Sequence, residues 1–119
     1  MSHVTLYHNP ACSKSRAALA LLQEHGIAPE LVLYLETPPS VEQLEAVLQK
    51  LGQPARTLLR TDEPEYTTLG LDNPALTDTE LLAALAAHPR LLQRPIAVFG
   101  ERAVIGRPPE AVIALVEGR

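Results

Sequence analysis

Cysteine and aromatic residues are scarce in this chain of 119 residues, which has one Cys, no Trp and 3% aromatic residues. With a single cysteine, no intramolecular disulfide can form, and no zinc site with several Cys ligands can be built. With so few aromatic side chains the core has to be aliphatic, and the 46% hydrophobic content lies in the usual globular range. A chain of this length can bury a sizeable core without disulfides or a structural metal.

Long apolar runs and basic runs are also missing. No apolar stretch reaches membrane-spanning length, and residues 1–4 lead into a strand-like segment and not into a signal peptide. The net charge of −4 and the lack of a basic face argue against nucleic-acid binding. The histidines are scattered without ligand spacing, so we expect no metal site. We also expect no bound organic cofactor if the chemistry of the chain is thiol exchange, which needs none. These absences predict a soluble cytoplasmic protein, and its size and charge favour a monomer.

The order of the predicted elements indicates an α/β fold in which a mixed four-stranded sheet is flanked by helices. The apolar run Leu31–Leu35 is typical of a strand covered on both faces. The helices between the second and third strands, at about 40–90, are predicted to be an insertion within a single domain spanning 1–119. Strands are predicted at 4–7, 31–35, 96–99 and 103–105. Helices are predicted at 13–25, 40–52, 54–59 and 77–88, with one helical turn near Tyr66 and a last helix that begins at Pro108-Pro109.

Cys12 lies between a strand-ending turn at residues 8–10 and the start of the first predicted helix. The first N–H groups of a helix are unpaired and the helix dipole is positive there, which favours both a thiolate and a bound oxyanion. Ser15 can add a hydroxyl donor, and His8 can stabilise the thiolate from across the loop. A lone cysteine is more often a small buried apolar residue, but the polar flank at 9–16 favours a nucleophile here.

The string Tyr7–Arg16, YHNPACSKSR, resembles the active-site loop of the glutaredoxin-coupled arsenate reductase family. The family pattern is a strand, His-Asn-Pro, one residue, Cys, two residues, Ser-Arg and a helix. The resemblance runs from Val4 to about Val116 and implies a thioredoxin-like fold. That fold places a cis-proline before its third strand, close to the thiol, and Pro95 stands at this position.

The resemblance also implies that three arginines bind the oxyanion and the arsenic intermediate. Arg60 follows Leu58-Leu59, Arg94 precedes Pro95, and Arg107 follows the apolar segment that ends at Gly106. Arg16, one helical turn after Cys12, can either reach the anion or cap its own helix. The remaining arginines are expected to be solvated surface residues: Arg56, Arg90, Arg102 and Arg119.

The reaction implied by the resemblance begins with attack of the Cys12 thiolate on arsenate. Glutathione then attacks the arsenic centre, arsenite leaves, and glutaredoxin clears the mixed disulfide between Cys12 and glutathione. Because the chain has no second cysteine, the resolving thiol has to come from outside. One alternative is a glutathione-dependent thiol reductase that acts on another substrate. A second is a non-catalytic regulator like the RNA-polymerase-binding relatives of this fold, although Ser15 replaces the second cysteine of their Cys-x-x-Cys switch.

Overall fold

The computed structural model of the protein describes residues 3–93 and 95–117. The described residues form a four-stranded mixed sheet and helices, so the predicted α/β class is confirmed. In chain order the elements are β1 (Val4–Tyr7), α1 (Ser13–Glu24), β2 (Glu30–Val32), α2 (Val41–Leu51), a 3₁₀ helix (Ala55–Leu58), α3 (Pro64–Thr68), α4 (Asp78–Ala87), a second 3₁₀ helix (Pro89–Leu91), β3 (Ile96–Phe99), β4 (Arg102–Ile105) and α5 (Ala111–Val116).

The chain divides into two compact units. The first comprises the described residues of Met1–Thr37 and Arg94–Arg119, and it contains the sheet with α1 and α5. The second is Pro38–Gln93, which contains α2, α3, α4 and both 3₁₀ helices. The expectation that the whole chain forms one domain with a helical insertion stays a prediction.

The sheet has the strand order β2-β1-β3-β4. Strand β1 is parallel to β2 and antiparallel to β3, with Tyr7 opposite both Val32 and Ile96. Strand β4 is antiparallel to β3, with Ile105 opposite Ile96. Consequently, the segments that follow β1, β2 and β4 and the segment that precedes β3 all leave the sheet at the same edge.

The core of the first unit lies where β1 and β3 face α1 and α5. Ala18 and Leu22 are four residues apart and therefore lie on one face of α1, and Val112 and Leu115, three residues apart, lie on one face of α5. Helix α1 is followed by Gly26 at φ 75°, a left-handed conformation that terminates helices and favours glycine. The fully or nearly fully buried members of this cluster are Val4, Leu6, Ala18, Leu22, Ala97, Val112 and Leu115.

The second strand differs from its prediction. The structure pairs only Glu30–Val32, and a turn follows in which the Glu36 N–H donates to the Leu33 carbonyl at 2.9 Å. The expected coverage on both faces is wrong, because β2 is an edge strand and Leu31 and Leu35 are each 43% exposed. Hydrophobic content predicted a buried strand, but burial here is decided by the position of the strand in the sheet.

The second unit contains two helices, α2 and α4, that each begin with an N-terminal capping box. In α2, the Ser40 hydroxyl accepts the Gln43 N–H at 3.2 Å, and the Gln43 side chain accepts the Ser40 N–H at 2.9 Å. Thr77 and Glu80 make the same reciprocal pair at the start of α4. Among the helices of the described residues, none is both long and apolar enough to span a membrane.

Candidate active site

Cys12 stands immediately before the first turn of α1, as the sequence predicts. Its backbone is extended (φ −95°, ψ 124°), and its carbonyl accepts the first helical hydrogen bond, from the Arg16 N–H at 3.0 Å. The side chain is half-buried, the first turn contains no acidic residue, and Lys14 adds a positive charge to it. The unpaired N–H groups and the positive end of the helix dipole therefore favour a thiolate and an anion at this point.

Asn9 organises the loop that carries Cys12. Its carbonyl accepts the Cys12 N–H at 3.0 Å, and its side-chain Oδ1 accepts the Ala11 N–H, also at 3.0 Å. The Arg16 guanidinium donates to the Pro10 carbonyl at 2.9 Å, so at least one of its donors supports the loop. The loop-closing hydrogen bonds of Asn9 were not predicted, although Asn before Pro at the end of a strand is typical of a turn closed by the Asn side chain.

His8 and Ser15 form a buried polar pair beneath this loop. The Ser15 hydroxyl lies 2.8 Å from His8 Nδ1 and accepts the Asn9 N–H at 3.0 Å. Ser15 has no exposed surface and His8 is 4% exposed. The hydroxyl is thus engaged inside the loop and away from solvent, and the oxyanion-binding role predicted for Ser15 stays a prediction.

Burial, with a smaller effect from the Arg16 charge, lowers the pKa of His8 below its usual value. The imidazole is therefore predominantly neutral at neutral pH. Any stabilisation that His8 gives the Cys12 thiolate has to come from a hydrogen bond and not from a full positive charge.

Pro95 and Arg107 belong to the same edge of the sheet as the Cys12 loop, because they adjoin the start of β3 and follow the end of β4. Pro95 is buried, and its carbonyl accepts the Gly106 N–H at 2.8 Å. Arg107 is exposed and is joined to Pro108 by a cis peptide bond. Arg94 lies outside the described residues, and so do its predicted contact with the oxyanion and the predicted cis bond to Pro95.

Gly106 packs against Pro95 so closely that no side chain fits. A Cβ atom at this position would lie 2.7 Å from Pro95 Cγ and 3.3 Å from Val112 Cγ1. We expect Gly106→Ala to lower the free energy of unfolding by about 1–3 kcal/mol, because the proline ring has little freedom to move away. Urea unfolding measures this loss. Adding Pro95→Ala should recover part of the loss, and purely additive effects in the double variant would contradict the proposed clash.

Arg60 lies in the second unit, where two carboxylates hold its guanidinium. Its Nη1 donates to Glu63 Oε1 at 2.8 Å, and its Nη2 donates to Asp62 Oδ2 at 3.1 Å. The Arg60 and Glu63 side chains are only 15% and 14% exposed, whereas the nearby Arg90 side chain is 70% exposed. Neither acidic partner was predicted from the sequence, although acidic residues two and three positions after an arginine are a visible signal.

A groove of about 280 Å³ opens beside the Cys12 loop. It is mainly apolar and lies at the same edge of the sheet, since one wall follows β1 and the other follows β2. Its lining residues are His8, Asn9, Pro10, Ala11, Leu33, Leu35 and Glu36. The described residues include no group of three or more His, Cys, Asp or Glu side chains that could hold a metal ion.

Comparison with known proteins gives full-length matches. An arsenate reductase of Neisseria meningitidis is 49% identical over 117 residues, which are 98% of this chain and 100% of the relative. An arsenate reductase of Haemophilus influenzae is 46% identical over 114 residues, which are 95% of this chain and 98% of the relative. The solved structure of an arsenate reductase from Vibrio cholerae is 50% identical and matches with a TM-score of 0.91, over 93% of this chain and 95% of that chain.

The sheet and its structural relatives define a thioredoxin-like protein, which confirms the predicted fold class. The protein belongs to the ArsC family, whose profile matches residues 7–115. That match begins at the last residue of β1 and therefore includes the whole Cys12 loop.

Proposed function

We propose that this protein reduces arsenate to arsenite with glutathione and glutaredoxin as the source of electrons, and that Cys12 is its nucleophile. The observation that carries the proposal is the position of Cys12 at the start of α1, in a turn without acidic residues. Full-length relatives at 46–49% identity that are arsenate reductases supply the substrate.

In the first step the Cys12 thiolate attacks the arsenic atom of arsenate, and a hydroxyl group leaves as water after taking up a proton. This step changes no oxidation state, because sulfur replaces oxygen on arsenic(V). The N–H groups of the first turn of α1 stabilise the oxyanion, and Arg60, Arg94 and Arg107 are the proposed side-chain ligands that neutralise its charge.

In the second step glutathione attacks the adduct, arsenic takes up two electrons, and arsenite leaves. The two sulfur atoms that gave these electrons form the mixed disulfide between Cys12 and glutathione. The balance is one arsenate and two thiols to one arsenite, one disulfide and one water. Glutaredoxin then returns Cys12 to its thiol by exchange. We place this cycle in the cytoplasm, where thiols stay reduced, and expect the protein to act as a monomer.

The external thiol follows from the composition of the chain. An intramolecular relay needs a second cysteine, and this chain has one Cys in total. Glutathione supplies the second thiol in the proposed cycle, and no bound cofactor is needed because electrons move by thiol exchange.

The proposal is tested by following NADPH oxidation in a mixture of the protein, arsenate, glutathione, glutaredoxin and glutathione reductase. We expect turnover that stops when arsenate, glutathione or glutaredoxin is left out, one component at a time. One arsenite should form for each NADPH that is oxidised. A system that turns over with a control arsenate reductase but not with this protein would rule out arsenate as the substrate.

Two further measurements separate the two alternative functions from arsenate reduction. With a small disulfide in place of arsenate, a glutathione-dependent thiol reductase of other specificity would raise NADPH consumption above that of the same mixture without this protein. A non-catalytic regulator would consume none with either and would be retained by RNA polymerase in a binding assay.

Arg60→Ala is expected to raise the KM for arsenate about 10- to 100-fold, the usual effect of losing a charged hydrogen bond. Arg90→Ala is the matched control, because Arg90 also approaches Glu63, at 3.9 Å, but is 70% exposed. The control should change KM less than about twofold, as expected for an exposed pair. Equal KM values for the Arg60 variant and the intact protein would remove Arg60 from the proposed oxyanion site.

A further inference from the structure

The hydrogen-bond network under the Cys12 loop favours one arrangement of its hydrogens. A serine hydroxyl has one hydrogen to donate and two lone pairs that accept. The Asn9 backbone N–H can only donate, so Ser15 Oγ is the acceptor in that 3.0 Å bond. The remaining contact of Oγ is with His8 Nδ1 at 2.8 Å, and a ring nitrogen can take either role.

Burial decides the direction of the second bond. Ser15 is fully buried, and the structure places His8 Nδ1 at 2.8 Å from its hydroxyl oxygen as an acceptor for the hydroxyl hydrogen. A buried donor without an acceptor is costly, so the hydroxyl donates to Nδ1. Nδ1 then carries no hydrogen, and the proton of the neutral ring is on Nε2.

Protonation of His8 would reverse this bond. Nδ1–H would point at an oxygen that already accepts the Asn9 N–H, and the Ser15 hydroxyl hydrogen would lose its acceptor in the interior. The network therefore opposes the imidazolium form as well as the other neutral tautomer. Burial of the ring and the neighbouring Arg16 charge act in the same direction on the pKa of His8.

We infer that Ser15 is a positioning residue, which fixes His8 as the neutral tautomer with its proton on Nε2 and so presents an uncharged N–H donor beside the Cys12 loop. His8 also lines the groove next to this loop. In the proposed reaction, on which this part of the inference rests, such a donor stabilises negative charge on sulfur or on the oxyanion. The ring is already neutral and keeps its Nε2–H at neutral pH.

The assignment is tested by ¹⁵N NMR of the histidine side chains at neutral pH, without arsenate or glutathione. We expect His8 Nδ1 to be unprotonated and Nε2 to be protonated. His25 is an internal control, because its Nδ1 lies 2.9 Å from the Leu21 carbonyl, which can only accept, and should therefore favour the opposite tautomer. A protonated His8 Nδ1 in the intact protein would overturn the inference.

The role of Ser15 is tested separately by Ser15→Ala. This variant should give His8 a mixture of tautomers and lower kcat/KM about three- to ten-fold, as expected for one neutral hydrogen bond. Ser15→Thr retains the hydroxyl and should keep the Nε2–H tautomer, which separates loss of the hydrogen bond from general disturbance of the loop. An unchanged His8 spectrum in folded Ser15→Ala would overturn the role of Ser15. Because the spectra need no substrate, a failed arsenate assay would leave this result intact.

Discussion

Cys12→Ser is expected to lower arsenate-dependent turnover at least about 10³-fold, to the background of the coupled assay. A serine hydroxyl remains protonated at neutral pH even at a helix N-terminus, and oxygen cannot form the disulfide that closes the proposed cycle. The variant is expected to bind arsenate still, since the backbone N–H groups and the arginines that are proposed to hold the anion are unchanged.

The control for this variant is its folding. Cys12 is half-buried and serine is close to it in size, so the thermal unfolding midpoint should stay close to that of the intact protein. Mass spectrometry after incubation with arsenate and glutathione should show the mass of one added glutathione on the intact protein and none on the variant. Persistent arsenate reduction by folded Cys12→Ser would show that Cys12 is not the nucleophile.

Leu6→Ala is expected to lower the free energy of unfolding by about 2–5 kcal/mol, the usual range for removing a buried leucine side chain. Leu6 has no exposed surface and belongs to the core cluster shared by β1, α1 and α5. The loss is a large part of the total stability of a typical domain, about 5–15 kcal/mol, so part of the population would unfold at moderate temperature. Urea unfolding followed by circular dichroism measures it.

Leu31→Ala is the matched control, because Leu31 is the register partner of Leu6 on the neighbouring strand and is 43% exposed. The same three carbon atoms are removed from the same sheet, so the comparison isolates burial. We expect the control to cost less than about 1 kcal/mol. Similar losses in the two variants would mean that β2 is covered in solution.

Helix boundaries could be predicted closely because their signals are local. The Ser40 and Thr77 capping boxes and the left-handed Gly52 each act within one turn of the chain, and the structure shows all three. The extent of β2 could not be predicted in the same way. A run of apolar residues indicates burial, but strand order decides which strand is left at an edge, and that order depends on contacts distant in sequence.

The location of Cys12 could also be predicted, since a strand, a turn and a helix adjoin it in sequence. The bonds that support it are less visible. In the sequence Ser15 is one of two serines at the start of a helix. Only the structure shows that it is buried and that its hydroxyl is hydrogen-bonded to His8. The ion pairs of Arg60 with Asp62 and Glu63 were not predicted, because the sequence pattern does not show which way these side chains turn. The oxyanion contacts of Arg60, Arg94 and Arg107 stay predictions.

The Cys12 loop and the β3–β4 turn lie at opposite edges of the sheet. The Cys12 loop follows β1, Pro95 precedes β3 and Arg107 lies two residues after β4, all at one edge of the sheet, so the β3–β4 turn at Gly100-Glu101 lies at the opposite edge. Each of these strands has 4 residues, which puts the turn about 13 Å from the edge that carries Cys12. An affinity tag or a fluorescent label can therefore be inserted at this turn, away from the candidate active site.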